Sequence, residues 1–320
     1  MAVVELGYLG TPPGECRGGV VAVGNFDGVH RGHAALVAAA RETAGRVGGP
    51  VVPVTFDPHP LQLLAPERYQ PPLTTVVERA RLLQTVGADH VIVLRTTPEL
   101  LALSPEYFFE TLIARALRAR GVVEGFNFRF GHNRAGSNDT LRALCAGAAI
   151  EFREVSAFEL TGRPVSSSRV RDAVASGDVA EAAALLGHPY RVTGVVGTGM
   201  KRGRTIGFPT ANLHGVATLL PADGVYAVRV TAPGGAYAGA AHVGPNVTFG
   251  EHARTVEVFL IDFAGDLYGQ QLSVDFVARV RGTQKFASVD ELVGQMRRDV
   301  ERARAVVGPG PSGARPGGRI

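Results

Sequence analysis

Cysteine, tryptophan and lysine are scarce or absent in this 320-residue sequence. The 2 cysteines, Cys16 and Cys145, are too few for a disulfide scaffold or a multi-cysteine metal cluster. No apolar run approaches the roughly 18 residues that a membrane-spanning helix needs. The N-terminus has neither the basic segment nor the long apolar segment of a secretory signal. We therefore expect a globular, cytoplasmic protein without a membrane partner.

Lysine occurs only at Lys201 and Lys285, so 31 of the 33 basic residues are arginines, and the net charge is only +4. The arginines are interleaved with acidic residues, and no long basic block marks a nucleic-acid-binding face. The exception is a short cluster at 200–204 inside a glycine-rich turn. Because arginine binds phosphate with two parallel hydrogen bonds, this cluster predicts a phosphate site and no nucleic-acid partner.

The first half of the sequence alternates short apolar strands with helices, a pattern typical of a parallel α/β sheet that is covered on both faces. Strands are predicted at 20–23, 51–56, 91–94, 122–124 and 150–154. Helices are predicted at 33–45, 77–86, 105–120 and 138–146, with Gly121 ending the third. Two short helices separated by Gly177 and Asp178 follow within 167–188.

The second half contains strands in succession without helices, which predicts a small antiparallel β-barrel. The predicted strands are 190–196, 224–230, 237–243, 255–263 and 271–280. A helix at 288–306 closes this part, with Ser288 as N-cap and Glu291 completing a capping box. The expected domains are residues 1–187 and 188–307. The glycine- and proline-rich tail, 308–320, is expected to be disordered.

The stretch G-N-F-D-G-V-H-R-G-H at 24–33 lies between the first predicted strand and the first predicted helix. Ligands bind at this edge of parallel sheets, and a helix N-terminus attracts phosphate. Gly24 and Gly32 let the backbone approach a ligand, and His30 and His33 can both reach one phosphate group. A tight turn with surface histidines is the plainer alternative. A metal site is a weak one, because no third ligand is suggested nearby.

A second glycine-rich and basic stretch, 197–212, ends in P-T-A-N. In an extended segment Thr210 and Asn212 point to the same side. Their oxygens are the hard ligands that Mg²⁺ prefers together with nucleotide phosphates. The glycines and Arg204 are expected to fold over those phosphates. A barrel corner with a proline turn is the alternative interpretation.

The first stretch resembles the G-x-F-D-x-x-H-x-G-H signature of the nucleotidyltransferase superfamily, and T-F-D-P-H-P at 55–60 and S-S-S-R-V-R at 166–171 resemble its flavin-specific branch. This resemblance implies a Rossmann-like domain in which His30 and His33 stabilise the α-phosphate of ATP. It implies that ATP is bound by Gly24, Phe26, Asp27, Gly32, Ser167, Ser168 and Arg169. It implies that the flavin is bound by Pro58, His59, Pro60 and Asn127.

The second stretch, with P-A-D-G-V-Y at 221–226 and T-V-E at 255–257, resembles the riboflavin kinase barrel. This resemblance implies that Glu257 is the catalytic base, that Thr210 and Asn212 hold Mg²⁺, and that ATP is bound by Gly199, Arg204, Gly207 and Pro209. Without this resemblance, the alternation of Glu257 with apolar neighbours predicts an outward-facing strand residue and not a catalytic base. Three positions depart from the family pattern, namely His242, Val247 and Phe259.

The two resemblances span about residues 18–305 and together imply a bacterial bifunctional riboflavin kinase/FAD synthetase. The expected substrates are riboflavin, FMN and ATP, with Mg²⁺ as cofactor. One alternative is an FAD synthetase whose kinase module is weak or inactive. Another is a flavin-binding protein without turnover. The sequence leaves the oligomeric state open.

Overall fold

The computed structural model describes residues 3–198, 207–245 and 254–308. The chain divides into two compact units. The first comprises Met1–Gln70 and Thr74–Ser167, and the second comprises Pro71–Leu73 and Ser168–Ile320. The domain limits 1–187 and 188–307 stay predictions, and all but the first residue of the predicted disordered tail lies outside the described residues.

The first unit is built on a six-stranded sheet in which every pair of neighbouring strands is parallel. This confirms the predicted parallel α/β fold. The strand order is β1-β4-β3-β2-β5-β6. The strands are β1 (Val3–Leu6), β2 (Val20–Val23), β3 (Val51–Asp57), β4 (Val91–Arg95), β5 (Gly121–Gly125) and β6 (Glu151–Val155). Sequence analysis missed the edge strand β1, which pairs with β4.

Helices and a π-helical segment connect these strands. The helices are α1 (Arg31–Val47), α2 (Pro60–Leu64), α3 (Val76–Thr85), α4 (Pro98–Leu101), α5 (Pro105–Phe108) and α6 (Asn138–Gly147). The predicted helix 105–120 ends early, because α5 continues as a π-helix over Phe109–Ala116 and the helix stops there. Arg118 then has a φ of 49°, and Gly121 is the first residue of β5 and not a helix stop. A short hairpin, β7 (Glu159–Leu160) and β8 (Arg163–Pro164), follows.

Alternating strand residues fill two cores, one on each face of the sheet. Val21 and Val122 pack on the face of the π-helix and α6, together with Leu112 and Leu141. Val20 and Val123 pack on the opposite face, with residues of α1 and α3. Because both faces are covered, strand residues such as Val20–Val23 are all buried, which explains their continuous apolar run.

The second unit contains a closed barrel of six antiparallel strands, which confirms the predicted barrel. Helices α7 (Ser167–Ser176), whose first residue belongs to the first unit, and α8 (Val179–Leu186) precede it. The strands are β9 (Tyr190–Gly197), β10 (Ala211–His214), β11 (Gly224–Ala232), β12 (Gly235–Gly244), β13 (Thr255–Leu260) and β14 (Gln271–Arg281). Strand β10, which the sequence analysis treated only as an extended segment, closes the barrel between β13 and β9. Strand β13 ends before the predicted residue 263, and Asp262 has a φ of 60°.

The last helix, α9 (Val289–Val307), packs Ala303 and Val307 in one cluster with barrel residues. Ser288 caps it by accepting a hydrogen bond from Glu291 N. The predicted capping box is shifted by one residue, because the Glu291 carboxylate accepts from Ala287 N and not from Ser288 N. None of the helices within the described ranges is both long and apolar enough to cross a membrane.

Candidate active sites

Residues 24–33, called the histidine loop below, lead from β2 into the first turn of α1 at the carboxyl edge of the parallel sheet. Strand β2 pairs with β3 on one side and β5 on the other, so the chain reverses its direction of winding there. Ligands bind at such switch points in open α/β sheets. The loop is strained, since the buried residues Phe26 and Val29 have φ values of 48° and 43°. Left-handed backbone at a β-branched residue is rare and is concentrated at functional sites.

The two histidines of this loop form a stacked pair. Their ring centroids are 3.6 Å apart with an interplanar angle of 15°, and Phe26 contacts the His33 ring edge-on. His30 is the N-cap of α1, and its Nδ1 accepts a hydrogen bond from His33 N at 3.4 Å. A ring nitrogen that accepts carries no proton, so the neutral His30 ring carries its proton on Nε2.

Both imidazoles are neutral at physiological pH. Burial lowers the pKa of His30 to about 4, against the opposing effect of Asp27. Burial also lowers the pKa of His33 well below its usual value, and the charges of His30 and Arg79 act in the same direction. We infer that the pair provides N–H hydrogen-bond donors and no fixed positive charge.

These lowered pKa values predict that the protein loses stability in mild acid. Above pH 6.5 His30 is neutral in both the folded and the unfolded chain. Below pH 6.5 only the unfolded chain binds the proton, until the folded pKa of about 4 is reached. His30 alone should therefore lower the free energy of unfolding by about 2 kcal/mol between pH 7 and pH 5. Urea titrations at both pH values should show a smaller loss for His30→Gln. An equal loss in both proteins would contradict this account.

A buried ion pair connects Asp27 of the histidine loop to Arg79 of α3. Asp27 Oδ1 is 3.8 Å from Arg79 Nη2 and accepts hydrogen bonds from Thr74 N and Thr74 Oγ1, both at 3.1 Å. Arg79 also donates to Thr55 Oγ1 at 3.0 Å. The Asp27 carboxylate thus faces the protein interior, and its predicted contact with ATP stays a prediction. Sequence analysis missed Arg79. The one local signal for it is its position on the apolar face of α3, next to Ala80 and one helical turn before Leu83.

Breaking this buried pair should destabilise the protein strongly. Arg79→Met leaves the Asp27 carboxylate buried without its cation, which typically costs about 3–5 kcal/mol. The matched control is Arg81→Met on the same helix, because Arg81 is exposed and its ion pair with Glu78 should contribute about 1 kcal/mol or less. Chemical denaturation of both variants measures the difference. Equal losses would show that Asp27 and Arg79 do not stabilise the loop.

The residues predicted to bind the flavin follow β3 and β5, the two neighbours of β2, at the same sheet edge. Pro58, His59 and Pro60 follow β3, and His59 caps α2 by accepting from Leu61 N. Asn127 is exposed and follows β5. The carboxyl edge therefore places both groups beside the histidine loop, as expected for strands of one parallel sheet.

The serine-rich segment begins α7. Ser167 Oγ donates to the Asp27 carbonyl oxygen at 2.9 Å, so this serine fixes the histidine loop. Arg169 forms an ion pair with Glu181 of α8 at 2.6 Å. The predicted contacts of Ser167, Ser168 and Arg169 with ATP stay predictions.

The second candidate site lies on strands β10 and β13 of the barrel. Thr210 Oγ1 donates to Glu257 Oε2 at 3.2 Å, and Asn212 lies directly opposite Glu257. Ala211 is buried between Thr210 and Asn212, which are partly exposed, so the two side chains share one face as predicted. Glu257 likewise alternates with buried Val256 and Val258. Three oxygen-bearing side chains thus converge, namely Thr210 just before β10, Asn212 of β10 and Glu257 of β13.

The oxygen donors at this site suit Mg²⁺ with nucleotide phosphates. Gly207, with a φ of 84°, and Pro209 lead into the cluster. Gly199 and Arg204, also predicted to bind ATP, lie outside the described residues. Across the described ranges, no group of three or more His, Cys, Asp and Glu residues is arranged to hold a metal.

The two described departures from the kinase pattern lie on the same face as Glu257. His242 of β12 is directly opposite Glu257. Burial lowers the pKa of His242, and the Glu257 charge opposes this. Phe259 contacts Phe208 edge-on at 5.4 Å and so packs against the chain that precedes Thr210. Val247, the third departure, lies outside the described residues.

Comparisons with known proteins match the two sites to two families. The FAD synthetase family model matches residues 13–169, which include the histidine loop. The riboflavin kinase family model matches residues 186–307, which include Thr210, Asn212 and Glu257.

Several relatives align with nearly the whole chain and so span both matched regions. A protein of Escherichia coli K12 named bifunctional riboflavin kinase/FMN adenylyltransferase is 38% identical over 293 residues, or 91% of this chain and 94% of that protein. A Pseudomonas fluorescens protein of the same name is 37% identical over 296 residues, or 92% and 95% of the two chains. The crystal structure of a macrolide-efflux protein from Streptococcus pneumoniae is similar to this chain, with a TM-score of 0.84 and 35% identity. It covers 95% of this chain and 99% of its own.

Proposed function

Because this chain belongs to the family of bifunctional riboflavin kinase/FMN adenylyltransferases, we propose that it makes FAD from riboflavin in two steps. Riboflavin and ATP give FMN and ADP, and FMN and a second ATP give FAD and pyrophosphate. One observation carries the proposal, namely that a single chain holds both a stacked histidine pair at a sheet edge and a Thr210–Glu257 pair opposite Asn212.

In the first step we assign Glu257 as general base. Its carboxylate accepts the proton of the riboflavin hydroxyl whose oxygen attacks the γ-phosphorus of ATP, while the bond to the β-phosphate oxygen breaks. The hydrogen bond from Thr210 orients the carboxylate. When bound at Thr210 and Asn212, Mg²⁺ would neutralise negative charge on the phosphates. Phosphoryl transfer depends mainly on such positioning and electrostatic stabilisation.

In the second step a phosphate oxygen of FMN attacks the α-phosphorus of ATP, and pyrophosphate leaves. The FMN phosphate is already ionised near pH 7, so this step needs no base. It needs donors for the charge that develops on the α-phosphate oxygens, and we assign this role to His30 and His33. The N-terminus of α1, which begins beside His30, adds a favourable dipole. This difference in chemistry accounts for a carboxylate in one site and histidines in the other.

The substrate set and the location follow from the same assignment. We assign adenylyl transfer to residues 1–187 and phosphorylation to residues 188–307, with riboflavin, FMN and ATP as small-molecule partners. Cys16 and Cys145 are both free and buried. Free thiols and the use of ATP in both steps support a cytoplasmic location.

A product assay tests the proposed function. Purified protein is incubated with riboflavin, ATP and Mg²⁺, and the flavins are separated over time. We expect FMN to appear first and FAD to follow. If only added FMN were converted to FAD, the kinase site would be inactive. Flavin binding without consumption of ATP would indicate a non-catalytic flavin-binding protein. The cluster of Thr210, Asn212 and Glu257 argues against both alternatives.

A further inference from the structure

Glu124 is a buried carboxyl group at the switch point of the sheet that neither proposed reaction uses. It lies in β5 and is 2% exposed, and its Oε1 accepts a hydrogen bond from Val23 N at 2.6 Å. Elsewhere, β2 and β5 pair only at Val20 and Val21. The Glu124 side chain thus reaches beyond the end of the backbone ladder to hold the last residue of β2.

This hydrogen bond joins the exits of two strands that lead to functional segments. Val23 directly precedes Gly24, the first residue of the histidine loop, and Gly24 N in turn donates to Val54 O of β3. Glu124 precedes Gly125, whose carbonyl oxygen accepts from Asn138 Nδ2 of α6. The chain then continues to Asn127, predicted to bind the flavin. The Glu124 side chain therefore links the exits of the two strands that lead to these segments.

The surroundings of Glu124 contain little that could stabilise a negative charge. Within the described residues it forms no ion pair. Cys145 is the titratable group that faces it from α6, and burial raises the pKa of that thiol to about 12, with the Glu124 charge acting in the same direction. Glu154 of β6 lies in register with Glu124, but it is exposed and paired with Arg142 of α6. The residues of β2 are all apolar.

We propose that Glu124 is a positioning residue of the adenylyl-transfer site, which fixes the histidine loop to the exit of β5 through its hydrogen bond to Val23. The inference rests on the proposed assignment of adenylyl transfer to the first unit. Burial raises the pKa of Glu124 well above its usual value, against the opposing effect of the hydrogen bond from Val23 N.

The test compares Glu124→Val, Glu124→Gln and Glu154→Gln in the full chain. For each variant, conversion of FMN to FAD is measured, and phosphorylation of riboflavin is measured as an internal control. Glu124→Val leaves the Val23 N–H buried without an acceptor, so kcat/KM for FAD formation should fall by about tenfold. Riboflavin phosphorylation should be unchanged. Glu154→Gln removes an exposed carboxylate at the register-matched position and should change neither activity.

Glu124→Gln keeps an acceptor for Val23 and cannot ionise. It should therefore restore FAD formation to near the rate of the unsubstituted protein. A folded Glu124→Val protein with unchanged FAD formation would overturn the inference. If that variant does not fold, Glu124→Asp takes its place, because its side chain is one methylene shorter and cannot hold Val23 N at the same distance, and unchanged FAD formation by the folded Glu124→Asp protein would overturn the inference. Failure of the unsubstituted protein to convert FMN would instead contradict the proposed function.

Discussion

Replacing Glu257 by alanine should abolish FMN formation and leave the conversion of added FMN to FAD intact. Glu257 is the carboxylate that Thr210 orients and that Asn212 faces across the β10–β13 pair. A general base typically contributes a factor of about 10²–10⁴ to the rate. We therefore expect riboflavin phosphorylation to fall by at least about a hundredfold. The measurement is the initial rate of each step, with riboflavin or FMN as the only flavin supplied.

Glu257→Gln separates loss of the base from loss of packing. The amide has nearly the same shape and can still accept the hydrogen bond from Thr210, but it cannot take up the substrate proton at neutral pH. We expect it to be as inactive in phosphorylation as Glu257→Ala. Glu301→Gln, an exposed carboxylate on α9, is the matched control and should phosphorylate riboflavin normally. Normal phosphorylation by Glu257→Gln would exclude Glu257 as the base.

The double replacement His30→Ala and His33→Ala should have the opposite effect. FAD formation should be lost while riboflavin is still converted to FMN. Loss of one donor to a developing oxyanion typically costs about 10²–10³ in rate, and here both donors are removed. The stacked geometry, with His33 N bonded to His30 Nδ1, makes the two rings one structural element, so single replacements should not be additive.

His132→Ala is the control for the histidine pair. His132 belongs to the same unit and is exposed. Its replacement should leave both rates unchanged. A folded double variant that still makes FAD at the normal rate would exclude the pair from adenylyl transfer. Loss of both reactions in a folded double variant would contradict the separation of the two sites.

Local sequence patterns predicted those parts of the fold that depend on local interactions. Strands β2 and β4 were predicted because burial on both sheet faces requires a continuous run of apolar residues. The helix at 31–47 was predicted because its apolar residues recur with helical spacing. Strand β1 was missed because its four residues, V-V-E-L, become a strand only by pairing with β4, more than 80 residues away. Strand β10 was likewise not predicted as a barrel strand, because only its pairing with β13 and β9 makes it one.

The candidate sites show the same limit. The histidine loop and the P-T-A-N segment were found because their spacing is unusual. Arg79 and Glu124 were not found, because the partners that explain their burial, Asp27 and Val23, are distant in sequence. The π-helix at 109–116 was also missed, since helical periodicity alone does not distinguish an α-helix from a wider one. Sequence motifs therefore located the candidate site residues, whereas the buried groups that support them were missed.

A mixing experiment tests most directly whether one chain holds two independent sites. The Glu257→Ala protein and the double His30→Ala, His33→Ala protein are each incubated with riboflavin, ATP and Mg²⁺, alone and together. Neither protein should make FAD alone, and the mixture should make it, because FMN released by the histidine variant is adenylylated by the Glu257 variant. A mixture of folded variants that accumulates FMN without FAD, or that leaves riboflavin unchanged, would contradict the account.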